Sequence, residues 1–144
     1  MTVTRIESEI THLDAEVALY TILDRKSRLQ DILLKTTEEF PCTIAASRAH
    51  AVLMEGGGLA AVCVGKQGSY TIFCPDPREW TSVFIHELWH AVANICEYYG
   101  IPANTEAAAC IMGCVHHDLW KPLAKTLCVK SEKPKRRSKC LKKR

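Results

Sequence analysis

His86-Glu87-Leu88-Trp89-His90 combines the residue types and the spacing of a catalytic zinc site. On an α-helix, residues i and i+4 lie one turn apart on the same face, so both imidazoles can reach a single ion. Glu87 then stands beside the metal without binding it, where a carboxylate can take a proton from metal-bound water. The flanks Val83-Phe84-Ile85 and Ala91-Val92 are uncharged, as a helix beneath an active-site cleft requires. Pro75-Asp76-Pro77 reads as the turn before this helix, Thr81 or Ser82 as its N-cap and Gly100 as its stop.

Catalytic zinc usually takes three protein ligands and keeps a fourth position for water, so one more ligand is needed. Glu97 projects from nearly the same face as His90 but about 10 Å further along the axis, too far to share the ion. Glu106 opens the next helical run, Asn104 to Trp120, after the break at Gly100-Ile101-Pro102. From Tyr99 the chain must return about 13 Å, and the segment to Glu106 can span roughly 20 Å, which makes Glu106 the expected third ligand. Its plainer reading is an acidic residue that suits the positive end of a helix. Ala107, Ala108, Ala109, Cys110 and Gly113 would let that helix approach closely. Asn94, one turn past His90, lies at the cleft edge or in a shell that orients ligands. His116, His117, Tyr98 and Tyr99 are the candidates for stabilising an oxyanion.

Three segments together resemble a known group: Ser69-Tyr-Thr-Ile-Phe-Cys74, Phe84-Ile-His-Glu-Leu-Trp-His-Ala-Val92 and Glu106-Ala-Ala-Ala109. They look like the compact gluzincin-like metallopeptidases, of the ImmA/IrrE type and the small HELWHA-containing proteins of bacteriophages, over about residues 59 to 120. Trp89 stands where the ImmA/IrrE type commonly has glycine. The resemblance implies a strand before the metal helix, one catalytic Zn2+ held by His86, His90 and Glu106, and Glu87 as general base in hydrolysis of a protein or peptide substrate. It also implies the cytoplasm of a bacterium or of a phage-infected host.

The elements that must position these residues read as an α+β, minimal zincin-like domain: an N-terminal helix, a short β-hairpin or sheet, the histidine helix and a glutamate-bearing helix. Residues 1–129 suffice for a single domain, with 59–120 as its metallopeptidase core. Ile6, Ile10, Leu13, Val17 and Tyr20 step by fours and threes, and Leu29, Ile32, Leu33 and Leu34 follow, so residues 4–40 are expected to be helical. Such a helix would pack on the core or pair two copies in a homodimer. Cys42 to Val52 is a strand or short helix, and Gly56-Gly57-Gly58 a linker. Leu59–Val64 and Tyr70–Cys74 form a hairpin about Gly68-Ser69, which sets Cys63 opposite Cys74. Tyr70–Cys74 is the strand on which an extended substrate would add.

No run reaches the 18 or so apolar residues of a membrane span, and the polar start is unlike a signal peptide. Eight cysteines in a chain of that character are expected to be reduced thiols. Cys110, Cys114 and His117, with His116 and Cys128 nearby, offer a geometrically possible second metal position, but cysteine as a small hydrophobe on a helix face is the better explanation. The whole chain carries +3 and residues 130–144 carry +8, leaving −5 for residues 1–129. That tail reads as disordered and suited to nucleic acid or another polyanion. The alternative to a peptidase is therefore a non-catalytic, zinc-stabilised regulatory module with a nucleic-acid-binding tail.

Overall fold

Ala15 to Ile22 is apolar at six of eight positions, and the structure gives that run the central place in the molecule. The computed structural model describes residues 2–40, 44–56 and 60–131. In chain order the elements are β1 (Thr4–Ile10), β2 (Ala15–Thr21), α1 (Leu29–Glu39), α2 (Ile44–Gly56), β3 (Val62–Lys66), β4 (Ser69–Phe73), α3 (Thr81–Tyr98) and α4 (Glu106–Ser131). The four strands form one mixed sheet in the order β1-β2-β4-β3. β1 is antiparallel to β2, β2 parallel to β4, and β4 antiparallel to β3.

Helices cover both faces of the sheet. Val17 and Leu19 of β2 join Ile72 and Cys74 in a core shared with Phe84, Leu88 and Val92 of α3 and Val115 and Leu119 of α4. Ala18 and Tyr20 point the other way, into a core with Leu29, Ile32 and Leu33 of α1, Ala46 and Ala49 of α2, and Phe73. An α+β fold is thus observed. A strand buried on both faces reads as a continuous apolar run, because neither face needs polar residues.

That burial overturns the expected N-terminal helix over residues 4–40. Residues 4–21 are a β-hairpin with a single 3-10 turn at Thr11–Leu13, and only Leu29–Glu39 is α-helical. The turn at 11–14 contains no glycine or proline; Asp14 takes the left-handed conformation instead, at φ 50°, which aspartate tolerates better than most residues. The helical dimerisation surface falls with the helix. Of the segment from Cys42 to Val52, residues 44–52 lie in α2 and the rest lies outside the described residues, as do almost all of the expected linker at 56–58 and most of the basic tail.

Two further expectations change. The β3–β4 turn centres on Gln67-Gly68, with Gln67 at φ 56°, so Cys63 pairs with Ile72 rather than with Cys74. Tyr70–Cys74 cannot accept an added strand, because β4 is already flanked by β2 and β3. The edge nearer α3 belongs to β3.

Between β4 and α3, Asp76 accepts hydrogen bonds from the Arg78 backbone N (3.2 Å) and Nε (2.6 Å) and pairs with Nη2. Arg78 Nη1 donates to Thr126 Oγ1 at 3.0 Å, which ties the start of α3 to the far part of α4. The N-cap of α3 is Trp80, not Thr81 or Ser82, and it makes no side-chain cap. The backbone oxygen of Asp76 receives the Glu79 and Trp80 N–H groups instead. Among the described residues no helix is long and apolar enough to cross a membrane.

Candidate functional site

Helix α3 buries Phe84, Leu88, Ala91, Val92, Ile95 and Cys96. These recur in steps of three and four and so form one stripe, which seats the helix on the sheet. At about 100° per residue, His86 and His90 fall on the opposite, solvent-facing side. Both are exposed. Their Nε2 atoms face each other at 3.0 Å, with the rings near perpendicular at 87° and their centroids 4.5 Å apart. Two zinc–nitrogen bonds of about 2.0–2.1 Å opening at a tetrahedral angle would place the nitrogens about 3.3 Å apart, so the pair fits one ion with little adjustment.

Glu87 lies on the flank of α3, half-buried, towards the β3–β4 hairpin. Its neighbours report its position. Burial first, and then the Glu87 carboxylate, push the Cys63 thiol up to about 12. Burial, Glu87 and then Asp76 do the same to Cys74, also up to about 12. Cys63 and Cys74 thus stay neutral thiols on the side of the sheet that feels the Glu87 charge. The influence of Glu87 on Cys63 and Cys74 was not foreseen, since it depends on the docking of α3 against the sheet.

Glu106 takes the first turn of α4 and is exposed, with its Oε1 accepting from Cys110 Sγ at 3.9 Å. Phe84, near the start of α3, packs against His116 and Trp120, well along α4, at centroid distances of 6.3 and 6.2 Å. The two helices therefore run antiparallel. From that contact the middle of the histidine pair lies about 6 Å along α3, whereas Glu106 lies roughly 15–20 Å along α4. Glu106 is thus set beyond the pair, near the end of α3. Among the described residues no group of three His, Cys, Asp or Glu side chains could hold a metal ion. The two histidines fit zinc; Glu106 in this position does not complete the set.

Other candidates separate similarly. Cys110 and Cys114 are exposed free thiols with no third ligand among the described residues. Tyr98 and Tyr99 end α3, about 12 Å past His90, and Tyr99 donates its hydroxyl to the Asp14 carbonyl at 3.2 Å. His116 stacks on Trp120, 5.9 Å between centroids. Asn94, exposed on the same face as the histidines, borders a hollow of about 420 Å³ with Glu97 and Pro102. Comparison of the chain with protein-family models, curated proteins and solved structures found no match.

Proposed function

We propose that this protein is a zinc-dependent metallopeptidase of the cytoplasm, hydrolysing peptide bonds in a protein or peptide substrate. The observation that carries the proposal is the pair of imidazole nitrogens 3.0 Å apart on the open face of α3, with the Glu87 carboxylate one residue along. His86 and His90 would hold the ion. Glu106, set beyond the pair near the end of α3, would join as third protein ligand only through a shift of the head of α4 towards His86 and His90 that metal binding would have to drive. Zinc, when bound, would supply a Lewis acid for the scissile carbonyl and a water of near-neutral pKa.

The chain's own groups do the rest. Glu87 accepts the proton of the attacking water and passes it to the leaving amine. The neutral thiols of Cys63 and Cys74 add no competing negative charge at that flank. An extended peptide would pair with the outer edge of β3, Val62–Lys66, by adding a strand to the sheet.

The test measures zinc per chain by elemental analysis and cleavage of a fluorogenic protein substrate. Wild type should carry one zinc, weakened or lost in Glu106→Ala; Glu87→Gln should keep its zinc and lose about 10²- to 10⁴-fold in rate. Full activity in Glu87→Gln would overturn the role given to that residue. A second reading, a zinc-stabilised regulatory module without catalysis, draws on the separation of Glu106 from the histidine pair. It predicts that Glu87→Gln is silent and that removal of residues 130–144 abolishes function.

A further inference from the structure

His117, Lys121 and Lys125 recur every four residues on the exposed side of α4, so they form one stripe along the helix. With His116, Trp120 and Ala124 they line a hollow of about 450 Å³. No carboxylate lines it. The nearest acid on the helix, Asp118, is turned towards β1 and accepts from Ser8 Oγ at 2.9 Å. Trp120 is braced by His116, near parallel at 15°, and by Phe84 at 27°, which fixes the indole at the edge of the hollow. Immediately beyond, residues 130–144 add a charge of +8 to the same end of the chain.

We infer that this stripe is a binding surface for single-stranded nucleic acid, favoured by the +8 charge that residues 130–144 add in sequence. The chemistry matches two features of one ligand. Lys121 and Lys125, four residues apart, present cations to successive phosphates, whose neutralisation releases counterions. Trp120, beside Lys121 at the edge of the same hollow, offers an aromatic surface on which an unpaired base can stack. A lipid surface would call for several exposed apolar side chains along the stripe, and Trp120 and Ala124 are the sole apolar residues lining the hollow. The histidine pair on α3 takes no part, so this surface stands or falls independently of the hydrolase proposal.

The experiment uses the full chain and a fluorescein-labelled oligothymidylate of about fifteen nucleotides, with anisotropy followed between about 50 and 300 mM KCl. Each phosphate contact on a single strand contributes about 0.7 to the slope of log K against log salt. Lys121→Ala/Lys125→Ala, both at exposed positions, should therefore reduce the slope by about 1.4 and weaken binding about 25-fold at 100 mM salt. Unchanged slope and affinity would overturn the inference and leave any binding to the tail. Trp120→Leu, checked for folding by circular dichroism, should keep the wild-type slope but lose the preference for oligothymidylate over an abasic strand. Absence of that preference in the wild type would overturn the stacking assignment. Binding to vesicles containing phosphatidylserine that the lysine variant loses, with oligonucleotide binding unaffected, would reassign the surface to membranes and overturn it.

Discussion

Replacing Asp76 by alanine removes the anion around which the β4–α3 connection is built. Asp76 is 1% exposed and the Arg78 side chain 8% exposed, so neither charge has water to fall back on. The hydrogen bond that Arg78 donates to Asp76 comes first among the causes that raise the Arg78 pKa, and the guanidinium stays charged at every accessible pH. Without its partner it becomes a buried, unpaired cation, a loss of about 3–5 kcal/mol. For a domain of this size that corresponds to a melting-temperature drop of roughly 9–15 °C. Thermal melts by circular dichroism and urea midpoints measure it. Asp76→Ala/Arg78→Ala removes both charges and should cost less than the sum of the single variants, with a coupling of about 0.5–3 kcal/mol. A cost below about 1 kcal/mol for Asp76→Ala would refute the reasoning, since Arg78 would then have found water or another anion.

Three further outcomes follow from local geometry. With thiols pushed up to about 12 from an ordinary 9.0, Cys63 and Cys74 are neutral at pH 8, with a thiolate fraction of about 10⁻⁴ against about one in ten for an unperturbed thiol. Iodoacetamide should then modify the exposed Cys110 and Cys114 first, reaching Cys63 and Cys74 only as pH climbs towards 12; equal labelling at pH 8, read by peptide mass spectrometry, would contradict this. A Cβ on Gly65 would stand 2.3 Å from the Ser69 carbonyl oxygen and 2.7 Å from Tyr70 Cα, so Gly65→Ala must push the hairpin apart at about 1–3 kcal/mol, and an unchanged urea midpoint would refute it. The Thr36 hydroxyl is buried with no hydrogen-bond partner among the described residues, so Thr36→Val should leave stability unchanged or raise it by up to about 1 kcal/mol; a comparable loss would show that the hydroxyl has a partner.

Which of these features could be read from the chain alone depended on how local their causes are. The histidine pair follows from helix geometry over five residues, and α3 announces itself by its apolar stripe and by Gly100, at φ 70°. The β3–β4 hairpin shows itself through Gly68, although its register was misplaced because Gln67, rather than a glycine, takes the positive φ. The β1–β2 hairpin stayed hidden for a similar reason: Asp14 turns the chain, and burial on both faces of β2 erased the two-residue period. Glu106 was legible as a carboxylate in the right part of the chain. How far α4 slides along α3 is fixed by Phe84 against His116 and Trp120 and by the Arg78–Thr126 bond, contacts that no local pattern encodes.

Parallel pairing of β2 with β4 sets Glu16 beside Ser69, 53 residues apart, with the Ser69 hydroxyl donating to the Glu16 carboxylate at 2.9 Å. The two hairpins and the helices are local and can form in microseconds, whereas this joint must close a long loop before any contact rewards it. On loop-closure grounds it is therefore the pairing expected to form last. The stripe of α3 rests on Val17 and Leu19 of β2 and on Ile72 and Cys74 of β4, so its seat does not exist until the joint is made. During synthesis, the chain must be translated past Tyr98, the last residue of α3, before the histidine helix can dock, and the face that carries His86 and His90 acquires a fixed surrounding only after that docking.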